Sequence, residues 1–558
     1  YVDYRGGRFQ IKNKDTFTFG SSSDVPFNSF SDYSHLQPYL RVYDADGNFL
    51  RRLESFGGYS GSLVNPLYEM THYRSYDVSR YNEIVDNLLF NWDITNHLRM
   101  RLQMSATIRR ETSDLFKDPS SASYGNGNLA MNGDKSTSSG DSHIIDGTLQ
   151  LMYNRTLKSH NINLNLSTNV RMTGSSMEYA DYRGFPGGDL TSSNYAAEIV
   201  DKPTVNDSKT HLAGFLLTGN YMWRNMVFAD LTGRLDGSSE FGSDRRWSMF
   251  WAAGAGVNLH NCGFMKRQDV VSTLKIRGSY GLTGKTNFSQ YAARNLYQLE
   301  TGSWFPTGYG VFLSQMGNPD LKWEKTYQLD YGAELGLWED RVYIKASMYN
   351  QRTVDLITDF ALPSSTGFSS YKENMGVVRN VGTEIDVRVR VYQDKDWYVN
   401  VFGNFARNRN TVEEISEAME AYNKRVEEIF SDFDPGSTSD KAYSKPYLKY
   451  YEGASMTAIA GMKSLGISPS NGKEIYLKPN GEVTDEWSAE DWTVIGDTAP
   501  KGQGSFGFTA SYRQWSLFTS FMYRFGGDAY NSTLVDYVEN VDLAAENVGI
   551  TRQIFDQV

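Results

Sequence analysis

The chain has 558 residues, 40% of them apolar and 14% aromatic, with a net charge of −11. A negative mean hydropathy and no run of 18 apolar residues argue against membrane-crossing helices. The acidic balance argues against a nucleic-acid partner, and a single cysteine, Cys262, leaves no internal disulfide framework.

Apolar and polar residues alternate over long stretches, as in a strand with one greasy and one wet face. From Leu98 to Arg109, Leu98, Met100, Leu102, Met104, Ala106 and Ile108 oppose Arg99, Arg101, Gln103, Ser105, Thr107 and Arg109. The pattern returns where Ile162, Leu164, Leu166, Val170 and Met172 oppose Asn161, Asn163, Asn165, Asn169 and Arg171. In chain order it predicts at least fourteen strands: 81–93, 97–110, 144–155, 161–172, 211–223, 226–236, 246–258, 273–283, 324–337, 341–355, 376–392, 397–410, 503–513 and 515–526. Strands this long, greasy on one face only, fit an all-β transmembrane antiparallel β-barrel with a watery interior.

Connections alternate in length. Short turns are expected near 94–96, 156–160, 224–225, 338–340, 393–396 and 514, and long polar loops over 111–143, 173–210, 284–323, 356–375 and 411–502. Outer-membrane barrels pair short periplasmic turns with long extracellular loops. The connection 259–272 is long for a periplasmic turn, and 237–245 is short for an outer loop. Trp92, Tyr153, Trp223, Trp338, Trp397 and Trp515 flank the short turns, as an interfacial aromatic belt would. Small polar runs at Ser21–Ser23, Ser120–Asn128 and Ser136–Gly140 read as solvated loop. Within the last long loop, Val412, Ile415, Met419, Tyr422, Val426 and Ile429 recur at helical spacing, predicting a helix over 411–431.

Four blocks resemble the SusC/RagA family of TonB-dependent outer-membrane transporters. The first is Arg234-Leu235-Asp236-Gly237-Ser238-Ser239-Glu240-Phe241-Gly242, continuing to Leu274–Gly281. The second is Asn318-Pro319-Asp320-Leu321-Lys322-Trp323-Glu324-Lys325-Thr326. The third runs from Asp355-Leu356-Ile357 through Leu362-Pro363 and Gly367-Phe368 to Asn374-Met375-Gly376 and Asn380-Val381-Gly382-Thr383-Glu384. The fourth joins Gly496-Asp497 to Phe525-Gly526-Gly527-Asp528-Ala529-Tyr530-Asn531. Upstream, Tyr43–Asn48 and Asn65–Tyr68 are also similar to the family.

The resemblance implies a 22-stranded barrel. Residues 1–558 are then an incomplete barrel domain, with the N-terminal plug and the last strands outside this sequence and the 411–431 helix in an extracellular loop. It further implies active import of large nutrient solutes, either glycan oligosaccharides or peptides. Energy would come through TonB–ExbB–ExbD, acting on the absent N-terminal region, and a SusD-like surface lipoprotein would be the partner in the outer membrane. A passive porin, a barrel enzyme and a carbohydrate-binding surface adhesin remain as alternatives.

Solute contact is expected from loop aromatics Trp304, Phe305, Tyr309, Phe368 and Tyr371, since rings are good contact surfaces. Arg99, Arg101 and Arg109 are expected to line the lumen and set its charge preference. No cofactor, metal or catalytic constellation is expected. Ser279–Thr286 nearly matches a phosphate loop, but the alternating residues before it suit a barrel wall. Asp44–Asn48 reads as an Asp-Gly turn rather than a calcium loop, and the seven histidines are scattered.

Overall fold

The computed structural model describes residues 1–24, 41–54, 64–285, 291–361, 368, 370–374, 376–431, 449–529 and 531, apart from 122, 125–127, 243 and 244. A 17-stranded antiparallel sheet dominates it. Sixteen of the strands follow one another as a meander. They are β1 (Val2–Gly6), β2 (Phe9–Asp24), β3 (Tyr76–Asp93), β4 (Leu98–Lys117), β5 (Asp134–Leu157), β6 (His160–Arg183), β7 (Thr204–Trp223) and β8 (Val227–Ser238). Then come β9 (Trp247–Asn258), β10 (Val271–Lys285), β11 (Glu324–Leu337), β12 (Val342–Val354), β13 (Val377–Gln393), β14 (Trp397–Glu414), β15 (Gly502–Tyr512) and β16 (Trp515–Phe525). The seventeenth, Glu198–Ile199, adds a two-residue pairing to the end of β6.

Register shows why the alternation matters. Opposite residues share a face, and Phe90, Leu102, Leu149, Thr168, Phe215, Leu235 and Met249 stand in one row across seven strands. Ile276, Ala333, Ala346, Ile385 and Phe405 form another on the same side. Side chains in these rows are half-buried or exposed, Phe215 at 52% and Met249 at 66%. A surface so continuously apolar is matched by lipid, not water. The opposite face carries rows such as Asn154, Asn163, Asn220 and Asp230. One break stands in the greasy face: Asn13, Asp15 and Asp86, with Asp15 directly opposite Asp86.

All fourteen expected strands are present, and two more precede them, since β1 and β2 were not expected. Several strands are also longer than expected. β5 and β6 have 24 residues each, about 80 Å at the usual rise, whereas about ten residues cross a bilayer. Much of the expected loops 111–143 and 173–210 is therefore strand, as are Ser21–Ser23 and Ser136–Gly140. Beyond the lipid the ladder's hydrogen bonds still hold strands together while no greasy stripe is needed, so the alternation fades.

Turns at one rim are tight, and left-handed residues close them: Lys158, Arg224, Asn225 and Arg513 all have φ of 51–55°. The right-handed twist of a hairpin favours such turns. The connection between β9 and β10 is filled by two short 3-10 turns, Leu259–Asn261 and Met265–Arg267. At the other rim, β14 continues to Glu414, so the helix α2 (Glu417–Ser431) begins six residues later than expected. A shorter helix, α1 (Pro66–His72), is capped by Asn65, whose side chain accepts from Leu67 N–H. In α2, Ser416 caps the start, its Oγ accepting from Met419 N–H at 3.1 Å. Val412 and Met419 pack together, so the helical spacing read across 412–419 joined the end of a strand to the start of a helix.

Candidate functional site

At the long-loop rim, segments far apart in sequence form a collar. Trp323 stacks on Phe241 with centroids 4.6 Å apart and meets Phe250 edge-on at 5.4 Å. Its indole N–H donates to the Arg246 carbonyl at 3.3 Å. Gly242 lies so close to the Pro319 carbonyl that a Cβ there would sit 1.6 Å from the oxygen. Two of the family-like blocks thus touch each other. Asn318 holds its own turn by accepting from Asp320 N–H and donates to the Lys372 carbonyl at 2.9 Å. Buried Glu324 accepts the Ile357 N–H at 2.9 Å, and the Asn374 amide donates to the Lys322 and Asp355 carbonyls.

The motif residues are therefore structural staples. Gly382 leaves room for the Tyr349 ring across the pair, and Glu384 lies opposite Ser347 and Ala406 in the sheet. Leu362, Pro363, Gly367, Met375 and Tyr530 of the blocks lie outside the described residues.

The expected aromatic contacts sit on two loop hairpins. Trp304, Phe305 and Tyr309 are at the tip of Leu296–Phe305 with Gly308–Gln315, where Trp304 pairs with Tyr309. Phe305 and Tyr309 are exposed. Tyr371 lies opposite Phe360 in the hairpin of Ile357–Ala361 with Ser370–Asn374, and half-buried Phe368 precedes its second strand. The side chains of Trp304 and Tyr371 lie outside the described residues. Leu321 and Ile357, buried with Ala292 and Ala293, join the two hairpins at their bases.

Arg99, Arg101 and Arg109 share the polar face of β4, and each has a partner. Arg99 Nε meets Asp93 Oδ1 at 2.5 Å, and Arg101 Nε donates to Asn91 Oδ1 at 2.9 Å. Arg109 pairs with Glu111 at 3.1 Å and lies over the Tyr81 ring at 4.2 Å. Their charge is partly spent within the wall.

The sequence reading missed a cleft of about 740 Å³ at the same rim, lined by Arg51, Tyr73, Tyr124, Leu129, Phe185 and Tyr195 among others. Tyr124 donates its hydroxyl to Asp134 Oδ2 at 2.7 Å, and burial together with that carboxylate pushes its phenol far above the usual range. The lining comes from separate loops and strand ends, so no spacing in the chain announces it. The last long loop forms a lobe of its own, where Val426 of α2 packs with Ala460, Met462 and Trp492.

Other motif readings resolve simply. Ser279–Lys285 is antiparallel strand, and Asp44 Oδ1 accepts from the Asp46 and Asn48 N–H groups as an ordinary turn. Among the described residues no group of His, Cys, Asp and Glu could hold a metal ion.

A family model for "TonB dependent receptor-like, beta-barrel" matches residues 9–548. The chain belongs to that family. As a TonB-dependent receptor barrel it is placed in the outer membrane, and its greasy face suits contact with lipid. It is similar to TonB-dependent receptor P39 of Formosa agariphila, at 25% identity over 90% of this chain and 49% of that one. It is 24% identical to the TonB-dependent receptor SusC of Bacteroides thetaiotaomicron over 69% of this chain and 39% of SusC. The fold of the RagAB peptide transporter matches with a TM-score of 0.77 at 20% identity, covering 94% of this chain and 57% of that one. The chain thus spans half or less of the length of these curated relatives.

Proposed function

We propose that this chain is the wall of an active outer-membrane importer for large nutrient solutes, glycan oligosaccharides or peptides. In this reading TonB–ExbB–ExbD supplies the energy and a SusD-like surface lipoprotein covers the long-loop rim. The observation that carries it is the match to the receptor-barrel family over residues 9–548, on a sheet that is greasy on one side and polar on the other. A ring wide enough for a large solute must be plugged to keep the membrane closed, and moving cargo past a plug requires work. Arg99, Arg101 and Arg109 would line the bore. Because each is already paired, they tune the local field rather than grip a ligand. Phe305, Tyr309 and Phe368, with Trp304 and Tyr371, would meet solute at the outer rim, where aromatic faces suit sugar rings and peptide side chains alike. One structural neighbour, RagAB, is a peptide transporter, so peptides belong beside oligosaccharides in the uptake panel.

The test is uptake of labelled oligosaccharides and peptides by cells with and without the gene. Uptake should require the gene, stop when a protonophore collapses the inner-membrane potential, and be accompanied by co-purification of a surface lipoprotein in detergent. Gene-dependent uptake that survives the protonophore identifies a passive porin and overturns the proposal.

A further inference from the structure

On the outward face, beside the long-loop rim, lies a second cleft of about 580 Å³ lined by Tyr280, Tyr327, Leu329, Asn350, Arg352, Arg379 and Glu413. Its cations come from neighbouring strands. Arg352 stands opposite both Tyr327 and Arg379, on the side that lower down carries Leu329, Met348 and Val381. Arg407 and Arg409 of β14, opposite Thr383 and Val381, and Lys325 of β11, opposite Val354, continue the cluster on the same side. A single carboxylate enters it: Glu413 accepts from Arg352 Nε at 2.7 Å and lies 3.6 Å from Arg379. Among the described residues no ion pair engages Lys325, Arg407 or Arg409.

Height decides what this patch meets. Arg352 comes ten residues after Val342 at the foot of β12, and Arg407 ten after Trp397 at the foot of β14. Ten residues of strand tilted by about 40° climb about 25 Å, the height of a barrel's apolar band. The cluster therefore sits at the outer water–lipid boundary, with Tyr280 and Tyr327 at the level where interfacial aromatics belong. On the far side of the sheet at a comparable height an outward arginine, Arg110, is matched by Asp141 at 2.8 Å. Positive charge in excess of its carboxylates, facing outward at the headgroup level, is what an anionic headgroup requires.

We propose that Lys325, Arg352, Arg379, Arg407 and Arg409 form a binding site for the phosphate groups of an anionic outer-leaflet lipid. The guanidinium groups clamp the phosphate while the acyl chains lie on the apolar rows below. The site lies outside the bore and does not depend on which solute is carried.

The test is native mass spectrometry of the full-length protein in detergent, with lipid A bearing both phosphates, dephosphorylated lipid A and inorganic phosphate as probes. Phosphorylated lipid A should be retained, and Arg379→Gln/Arg407→Gln/Arg409→Gln should weaken retention by at least about tenfold, while Arg110→Gln leaves it unchanged. Glu413→Gln frees two arginines and should tighten retention, an outcome that misfolding cannot imitate. Equal retention of dephosphorylated lipid A, displacement by inorganic phosphate at equal concentration, or weaker retention in Glu413→Gln overturns the proposal.

Discussion

Three successive residues in the left-handed region close the turn between β11 and β12: Trp338, Glu339 and Asp340, with φ of 52°, 58° and 57°. Each costs roughly 1 kcal/mol in a residue with a Cβ. Asp340 offsets this by accepting from the Ser272 and Thr273 hydroxyls at 2.7 and 3.0 Å, and the Trp338 side chain is exposed. Glu339 contributes its carbonyl, which accepts from Arg390 at 2.6 Å, a bond that glycine keeps. Glu339→Gly should therefore stabilise the barrel by about 1 kcal/mol in reversible denaturant titration in lipid vesicles, and a loss of stability would refute the strain argument. At this scale the sequence was uneven as a guide. Trp223, Trp397 and Trp515 were legible as rings at the short-turn ends of their strands. The cleft residues Arg51, Tyr73, Tyr124 and Tyr195 were not, because only folding brings them together.

Strands were the most legible elements, and the failures among them have a common cause. Alternation is imposed by lipid on one side and water on the other, so it fades where β5 and β6 rise above the membrane. In β2 it is broken by Asn13 and Asp15 between Ile11 and Phe17. The family-like blocks were legible as sequence but not as structure, since nothing in their spacing said that Phe241, Gly242, Pro319 and Trp323 meet. That contact makes a sharp prediction. Trp323→Ala removes a buried ring from its stack and should cost about 3–5 kcal/mol, read as early proteolytic cutting within 286–323 while the strands stay protected. Cutting at the wild-type rate would show that the collar is held by other contacts. The same collar carries a pH effect. Burial raises the Glu240 carboxyl above its usual range, while the Ser238 hydroxyl, donating at 3.3 Å, pulls the other way. A raised carboxyl favours the fold at low pH and loses that contribution as pH climbs through its folded pKa. Glu240→Gln should therefore be more stable than the wild type at neutral pH and converge with it below the ordinary carboxyl range, in thermal melts across pH. A gap that widens on acidification would reverse the sign of the burial effect.

Across the whole molecule, one greasy surface runs through the register from β2 to β16, and a charged break below the level of the outer cationic cluster is the more informative for that. Asp86 lies between Ile84 and Leu88 in the outward row, with Asp15 across from it and Asn13 beside Leu88. Asp86 Oδ1 and Asn13 Oδ1 are buried without a hydrogen-bond partner among the described residues. Like charges directly opposite in an antiparallel pair repel, and a carboxylate facing lipid loses solvation. Asp86 stands seven residues above Asp93 at the foot of β3, which places it about 15–20 Å above the periplasmic rim, within the bilayer. Asp86→Leu should therefore stabilise the protein in lipid vesicles by about 1 kcal/mol or more, measured as a shift in the denaturant midpoint. Asp86→Asn separates the two causes. It ends the repulsion but leaves a polar group in lipid, so it must deliver less than the leucine variant; equal gains would mean that water reaches the notch, and a loss with leucine would mean that the carboxylate is not facing lipid at all.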